Sequence, residues 1–385
     1  MAISPQLSIP FSKPAFAENT SHYITEVLES GAVKGGGIFA GRCETLLESA
    51  LACRRVLLTT SCTTALDMCA LLLDIQPGDE VILPSFTFPS TANAFVLRGA
   101  VPRFADIQLD TLNLDMQHVA SLVTPKTRAV VAVHYNGVAC DIEDLTAILD
   151  KHGLAFVEDN AHGPFCAYKG RSLGTFGQLA ALSFHETKNY TSGEGGALLV
   201  NDPGLIDRAI IMRDKGTNRD QFRRGEVPFY HWVDAGSNYA PSEFSAAVLL
   251  AQLETAAGVQ ATRKRIWTLY RNGLRDWAEQ HNVLLQTVPA HCEPSHHVFY
   301  LLLPSHTVRN DLMSHLARHG VESTFHYSPL HAAPMGVRFG ARCGDLPVTE
   351  RVNDCILRLP LHNGLSVEDQ EYVIETVLTF QPALP

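Results

Sequence analysis

Short apolar runs return through the first 200 residues of this chain with helix-length segments between them, and that rhythm leaves few folds open. Val56-Leu57-Leu58, Val81-Ile82-Leu83, Val101–Phe104, Arg128–Val133 and Leu154–Val157 read as buried strands. Cys43–Ala52, Thr63–Leu73, Ser90–Leu97 and Ile142–Lys151 carry helical spacing between them. A strand apolar on both faces must be covered on both faces, and helices between such strands supply the cover. The fold class predicted is therefore α/β with a large, mostly parallel sheet. Ala180–Phe184 and Ala197–Val200 extend the sheet, and Asp202–Arg213 gives its last helix.

The rest of the chain has a different texture. Residues 1–40 hold Pro5, Pro10, Pro14 and Gly35-Gly36-Gly37 and read as an irregular arm and loop. Residues 215–241 break the rhythm with Gly, Asn, Arg and aromatics, as a long functional loop does. Ser242 to about Trp277 reads as one long helix crossing into a second unit. There a strand at His297–Leu302, a helix at Val308–His319 and a helix from Ser366 predict a smaller α+β domain. A chain of 385 residues suits this division, with a large domain over 1–255 and a small one over 256–385.

Composition narrows the function classes. The net charge of −10 argues against nucleic acid or an anionic membrane as the main partner. Nine scattered cysteines with no C-x-x-C pair read as reduced thiols, not as disulfides or a zinc site, so no metal is expected. The N-terminus lacks a basic region followed by an apolar run, and no stretch reaches the ~20 apolar residues of a membrane span. A cytoplasmic protein is the expectation.

Four segments carry chemistry, each just after a predicted strand. TTSCTTALDM (59–68) turns from strand to helix, where free N–H groups and the Thr63 and Thr64 hydroxyls suit a phosphate; simple N-capping accounts for the same residues. PSFTFPSTANA (84–94) places Phe88 to stack on a ring or to fill core. VEDNAH (157–162) puts Asp159 at a strand end, facing a ligand crevice or capping a turn. SFHETKNYTSGEGGALLV (183–200) sets Lys188 before Gly193, Gly195 and Gly196, with Ser183 and His185 nearby. Its other reading is a surface lysine beside a hairpin. Taken together, the four supply what pyridoxal 5'-phosphate chemistry needs. These are a lysine for the aldehyde, an acid for the pyridine nitrogen, a flat group for the ring and donors for the phosphate.

At these residues the chain resembles the DegT/DnrJ/StrS sugar aminotransferases. The resemblance runs through PGDEVILPSFTF, HYNGVACD, VEDNAHG, SFHETKNYTSGEGGA, KGTNRDQF, HYSPLH and LRLPLH. It implies the fold type I, aspartate aminotransferase-like architecture, with Lys188 as the lysine that holds the cofactor and shuttles the proton. Asp159 then binds the pyridine nitrogen and Phe88 stacks on the ring. Cys62, Thr63, Thr64 and Ser183 hold phosphate, and His185 sits close by. Asn238 would reach the phosphate of a neighbouring subunit, which implies a homodimer with shared active sites. His162 stands where the family usually has Gln beside the ring hydroxyl, so its charge becomes a variable.

The substrates implied are glutamate as donor and, from the closest segments, a dTDP-4-keto-6-deoxyhexose aminated at C4. Arg219 and His331 are candidates for contacts to the sugar nucleotide, or are structural. Rival readings are amination at C3 or of another nucleotide sugar, and a non-catalytic cofactor-binding regulator. A nicotinamide dehydrogenase would want G-x-G-x-x-G where Thr59–Thr64 stand.

Overall fold

The computed structural model describes residues 8–381, so residues 1–7 of the predicted arm lie outside the described residues. In chain order its strands are β1 (Arg55–Thr59), β2 (Glu80–Pro84), β3 (Val101–Ala105), β4 (Thr127–Val133), β5 (Ala155–Asp159), β6 (Ala167–Tyr168), β7 (Arg171–Ser172), β8 (Leu179–Ser183), β9 (Gly196–Val200), β10 (Leu284–Leu285), β11 (Cys292–Glu293), β12 (Phe299–Leu302) and β13 (Ile356–Leu359). Seven of them form the main sheet, in the order β1-β9-β8-β5-β4-β2-β3. Pairs β2–β3, β2–β4, β4–β5 and β5–β8 are parallel. Helices on both faces bury it. Leu57, Val81, Val131 and Leu198 pack toward one layer, and Val56, Leu182 and Leu199 toward the other.

One strand runs against the rest. β9 is antiparallel to both β8 and β1. The cause lies in the connection. Phe184–Gly195 contains no helix, so the chain can only turn back beside β8. Phe184 and Gly195 close that return with an N–H···O bond of 2.8 Å, and Ser192 N–H donates to Phe184 O at 3.0 Å.

Two expectations need correction. Residues 1–40 are not wholly irregular, since Thr20–Ser30 is a helix ended by Gly31 at φ +65°. Its prolines and glycines flank the helix without entering it. Tyr23 and Val27, one turn apart, face the helix Glu243–Glu254, and the Tyr23 hydroxyl donates to Glu254 at 2.8 Å. The long helix from Ser242 is also interrupted. It ends at Glu254 and restarts at Ala256, with Thr255 at φ −103°, ψ 12° between them. The Thr255 hydroxyl bonds back to the carbonyls of Ala251 and Gln252, a habit that bends helices. A helix at Met116–Leu122, capped by Asp115, adds to those read from the sequence.

Beyond Thr255, β10, β12 and β13 form a second, antiparallel sheet. Its core gathers Trp267, Tyr270, Phe299, Leu357 and Val373. Ile9 joins that core, held by its N–H to Gly320 O and its carbonyl to Glu322 N–H. The arm therefore crosses to the C-terminal unit and brings Phe11 to the space between the two sheets.

Candidate active site

Where the carboxyl ends of β1, β2, β5 and β8 meet the second sheet, a cavity of about 380 Å³ opens. Eight of the residues singled out from sequence line it: Cys62, Thr63, Phe88, Asp159, His162, Ser183, His185 and Lys188. Parallel topology explains the gathering, because every strand but β9 delivers its last residue to the same edge. β9 contributes its first residues there, for the opposite reason.

The end suited to phosphate is built by a helix start and a close approach. Ser61 caps the helix Cys62–Leu72, accepting from Thr64 N–H at 3.1 Å. Thr63 and Ser90 hydroxyls meet at 2.7 Å on the cavity wall. A Cβ on Gly196 would lie 2.4 Å from Cys62 N, so only glycine lets β9 press on this turn. Ser183, last in β8, is buried at the same edge. Phe88, 59% exposed, forms the rim and precedes the helix Pro89–Val96.

Two carboxylates end β5 and do different work. Glu158 has no exposure and is fully occupied, accepting from His134 Nε2 and from the N–H groups of Gly174, Phe176 and Gly177. Asp159 faces the cavity. Its Oδ2 accepts from Thr91 at 2.7 Å and its Oδ1 from Ala161 N–H at 3.2 Å. Burial pushes its carboxyl up, opposed by those two bonds and by the positive field of Lys188. A cationic partner across the cavity would complete its surroundings.

Lys188 reaches the same cavity from the return between β8 and β9. Desolvation pulls its amine down to about 8, against the stabilising pull of Cys62 and Asp159. At pH 7 about one-tenth of such an amine is neutral and nucleophilic, on the order of a hundredfold more than for an ordinary lysine. Its backbone N–H donates to His185 O, and the neighbouring Asn189 side chain donates to Ser295 O. His185 Nδ1 accepts from Thr187 N–H and shapes this turn.

His162, the departure noted in the sequence, has a defined state. Asn136 N–H donates to Nδ1 at 2.9 Å, which assigns the proton to Nε2, and Nε2–H donates to the Tyr327 hydroxyl at 3.2 Å. Burial holds its pKa well below the usual range, with Lys188 and Arg358 adding to the effect. The imidazole is neutral, and both nitrogens are engaged.

The facing wall is assembled from residues that sequence reasoning missed as site groups. His297, His326, Tyr327, Arg358 and Phe11 all line the cavity. His297 Nδ1 donates to Asn189 Oδ1 at 2.9 Å, next to Lys188. Arg263 fixes it from behind by donating to the His297 carbonyl at 2.6 Å. The signal was present in HYSPLH and LRLPLH, but the pattern did not say which member of each faces inward.

Four other sequence candidates stand elsewhere. Thr64 is spent on the helix cap, where its hydroxyl accepts from Ser61 N–H at 3.1 Å. His331 has no exposure. It bridges Ser85 at 2.7 Å and Glu350 at 2.8 Å, a clamp between the end of β2 and the C-terminal unit, and it does not line the cavity. Arg219 lies against Asp214 and over the Tyr230 ring, away from the cavity. Asn238 is exposed on the loop and does not line the cavity of its own chain.

This donor set fits pyridoxal phosphate: an amine of lowered pKa, a buried carboxylate, and hydroxyls at a helix start. Comparisons with known proteins agree. Spore coat polysaccharide biosynthesis protein SpsC of Bacillus subtilis is 32% identical over 379 residues, covering 96% of both chains. Spr1654 from Streptococcus pneumoniae, assigned as a sugar aminotransferase, superposes in its PLP form with a TM-score of 0.89 at 26% identity, covering 97% of this chain and 98% of that one. The aminotransferase TlmJ from Streptoalloteichus hindustanus gives 0.89 at 30% identity, with 97% and 98% covered. The DegT/DnrJ/EryC1/StrS aminotransferase profile matches residues 14–378, and the chain belongs to that family.

Proposed function

We propose that this chain, a pyridoxal-phosphate aminotransferase, moves an amino group from glutamate to C4 of a dTDP-4-keto-6-deoxyhexose. One observation carries the reading. The lowered-pKa amine of Lys188 and the buried carboxylate of Asp159 share one cavity with hydroxyl and helix donors for a phosphate. The sugar class rests on what relatives are named for, and the C4 position on the resemblance of SCTTALDMCALLLDIQPGDEVILPSFTF and HETKNYTSGEGGA.

When bound, the cofactor ring supplies the electron sink that makes the donor's Cα–H acidic. Lys188 would hold the cofactor between turnovers, and its freed amine would take up and return the donor's Cα proton. Asp159 keeps the pyridine nitrogen protonated. Thr63, Ser183 and the helix start hold the phosphate, and Phe88 covers the ring. In the second half of the cycle the same groups act in reverse on the keto-sugar.

The reading includes a homodimer. Phe229 and Trp232, 69% and 81% exposed, lie on the same loop as Asn238, and a partner subunit would bury them. It also includes the division at 255/256 and a place in the cytoplasm. Among the described residues, no helix is long and apolar enough to cross a membrane.

The test is to incubate the yellow holoenzyme with glutamate and dTDP-4-keto-6-deoxyglucose and follow the product by NMR. A C4 amine with equimolar 2-oxoglutarate is expected. An amine at C3 reassigns the position, and no turnover with any keto-sugar leaves a cofactor-binding regulator.

A further inference from the structure

His297, just before β12, lines the cavity at 5% exposure, yet no step described above uses it. Its ring is held in place. Arg263 donates to the His297 carbonyl from behind at 2.6 Å. The His162 imidazole packs beside it, with ring centroids 4.4 Å apart and planes tilted by 39°. Nδ1 lies 2.9 Å from Asn189 Oδ1. The Asn189 amide nitrogen is spent on Ser295 O, so the atom facing the imidazole is an oxygen that can only accept. The ring proton is therefore on Nδ1, and Nε2 carries a bare lone pair. Burial holds the pKa of this imidazole well below the usual range, with the fields of His162 and Lys188 adding to the effect, so no second proton joins it near neutral pH.

Among the described residues no group donates to Nε2, which opens on the cavity. An acceptor that cannot also donate selects its ligand by exclusion. The cofactor brings its pyridine N–H to Asp159 and acceptor oxygens elsewhere. An amino-acid donor brings carboxylates, which an imidazole lone pair repels, and its amine goes to the cofactor. Hydroxyl donors come with the sugar. We propose that His297 Nε2 accepts a ring hydroxyl of the keto-sugar, at C2 or C3, and so favours hexoses that keep that hydroxyl over analogues that lack it. This rests on the nucleotide-sugar reading and deepens it.

The experiment uses holoenzyme of wild type, His297→Asn and His297→Gln, with the visible band of the covalently held cofactor as the check on folding. Asparagine keeps a donor for Asn189 and removes the distal lone pair. Glutamine reaches as far as Nε2 with an amide oxygen that accepts. dTDP and the unreactive dTDP-6-deoxyglucose are titrated calorimetrically into each, followed by dTDP-2,6-dideoxyglucose and dTDP-3,6-dideoxyglucose. Loss of the visible band with glutamate reports the first half-reaction, and its return with the dTDP-keto-sugar reports the second.

His297→Asn is expected to weaken dTDP-6-deoxyglucose by roughly tenfold and to leave dTDP unchanged, with partial recovery in His297→Gln. The second half-reaction slows and the first keeps its rate. With one of the two dideoxy analogues, wild type and His297→Asn bind alike, and the hydroxyl missing there is the one accepted. A loss that persists with both analogues overturns the proposal, as does undiminished binding of dTDP-6-deoxyglucose in His297→Asn. So does a first half-reaction slowed as much as the second, which would make Nε2 a partner of the freed Lys188 amine. Those failures leave the nucleotide-sugar reading standing. A wild type that binds none of the four nucleotides sinks that reading, and the proposal with it.

Discussion

The two walls of the cavity are built by different means. The main-sheet wall takes Cys62, Thr63, Phe88, Asp159, Ser183 and Lys188 from strand ends or from the returns that follow them. The facing wall takes His297, His326, Tyr327 and Arg358 from the C-terminal unit and Phe11 from an arm more than 280 residues away in sequence. The first wall holds groups that can bond the cofactor and move protons. The second holds neutral imidazoles, a phenol and one cation. Substitutions on the first wall should therefore bear on rate more than those on the second.

Changes on the first wall should cost most. Lys188→Ala is expected to lower turnover by roughly 10⁴-fold and to remove the covalent visible band, read by stopped-flow absorbance. A smaller loss would mean that a group on the facing wall can move the proton. Asp159→Asn preserves shape and removes charge. Turnover should fall by about 10²–10³-fold with cofactor still bound, and an unaffected rate would deny the carboxylate its role.

The pH dependence sharpens the same point. Lys188 titrates near 8 in place of its ordinary 10.5, so its reactive neutral form gains as pH rises to that value. Cofactor capture by the cofactor-free protein should quicken about tenfold per pH unit below 8 and level off above it. A midpoint above 10 would show the amine to be solvated.

Smaller effects are expected from groups that hold the second wall or bridge the two. His331→Phe unpairs Ser85 and Glu350, so thermal unfolding should show a loss of about 1–3 kcal/mol. Turnover should fall about tenfold, through the loosened segment that carries His326 and Tyr327. His162→Gln should matter least. An amide can accept from Asn136 N–H and donate to Tyr327 as the imidazole does, so kcat/KM should stay within about fivefold, with no change in pH profile between about 6 and 8. A large change there would mean that His162 acts as more than a spacer.

Legibility in the sequence follows the same division. The parallel sheet and its strand-end residues were readable because each motif is contiguous and the topology brings all strand ends to one edge. The facing wall was not, because the contacts that tie it to the main-sheet unit, His297–Asn189, Tyr327–His162 and His326–Tyr135, join residues more than 100 apart. His326 and His331 share the motif HYSPLH, and only the chain path past Ser85 decides that the first faces the cavity and the second is buried. The helix Thr20–Ser30 was masked by the prolines and glycines on either side, since its stability comes from packing on Glu243–Glu254 and not from local pattern. Thr64 looked like a donor because a capping residue and a phosphate ligand are the same residue type in the same place.

The reversal of β9 bears on how far the reactive amine can stray. A twelve-residue span anchored to adjacent strands at both ends behaves like a beam clamped at its two supports, not like a springboard. Pinned further by Asn189 to Ser295, it leaves Lys188 little more than the swing of its own side chain. An amine released into such a frame does not diffuse off. It stays at an effective concentration far above any free base, and each pass of the cycle finds it within reach.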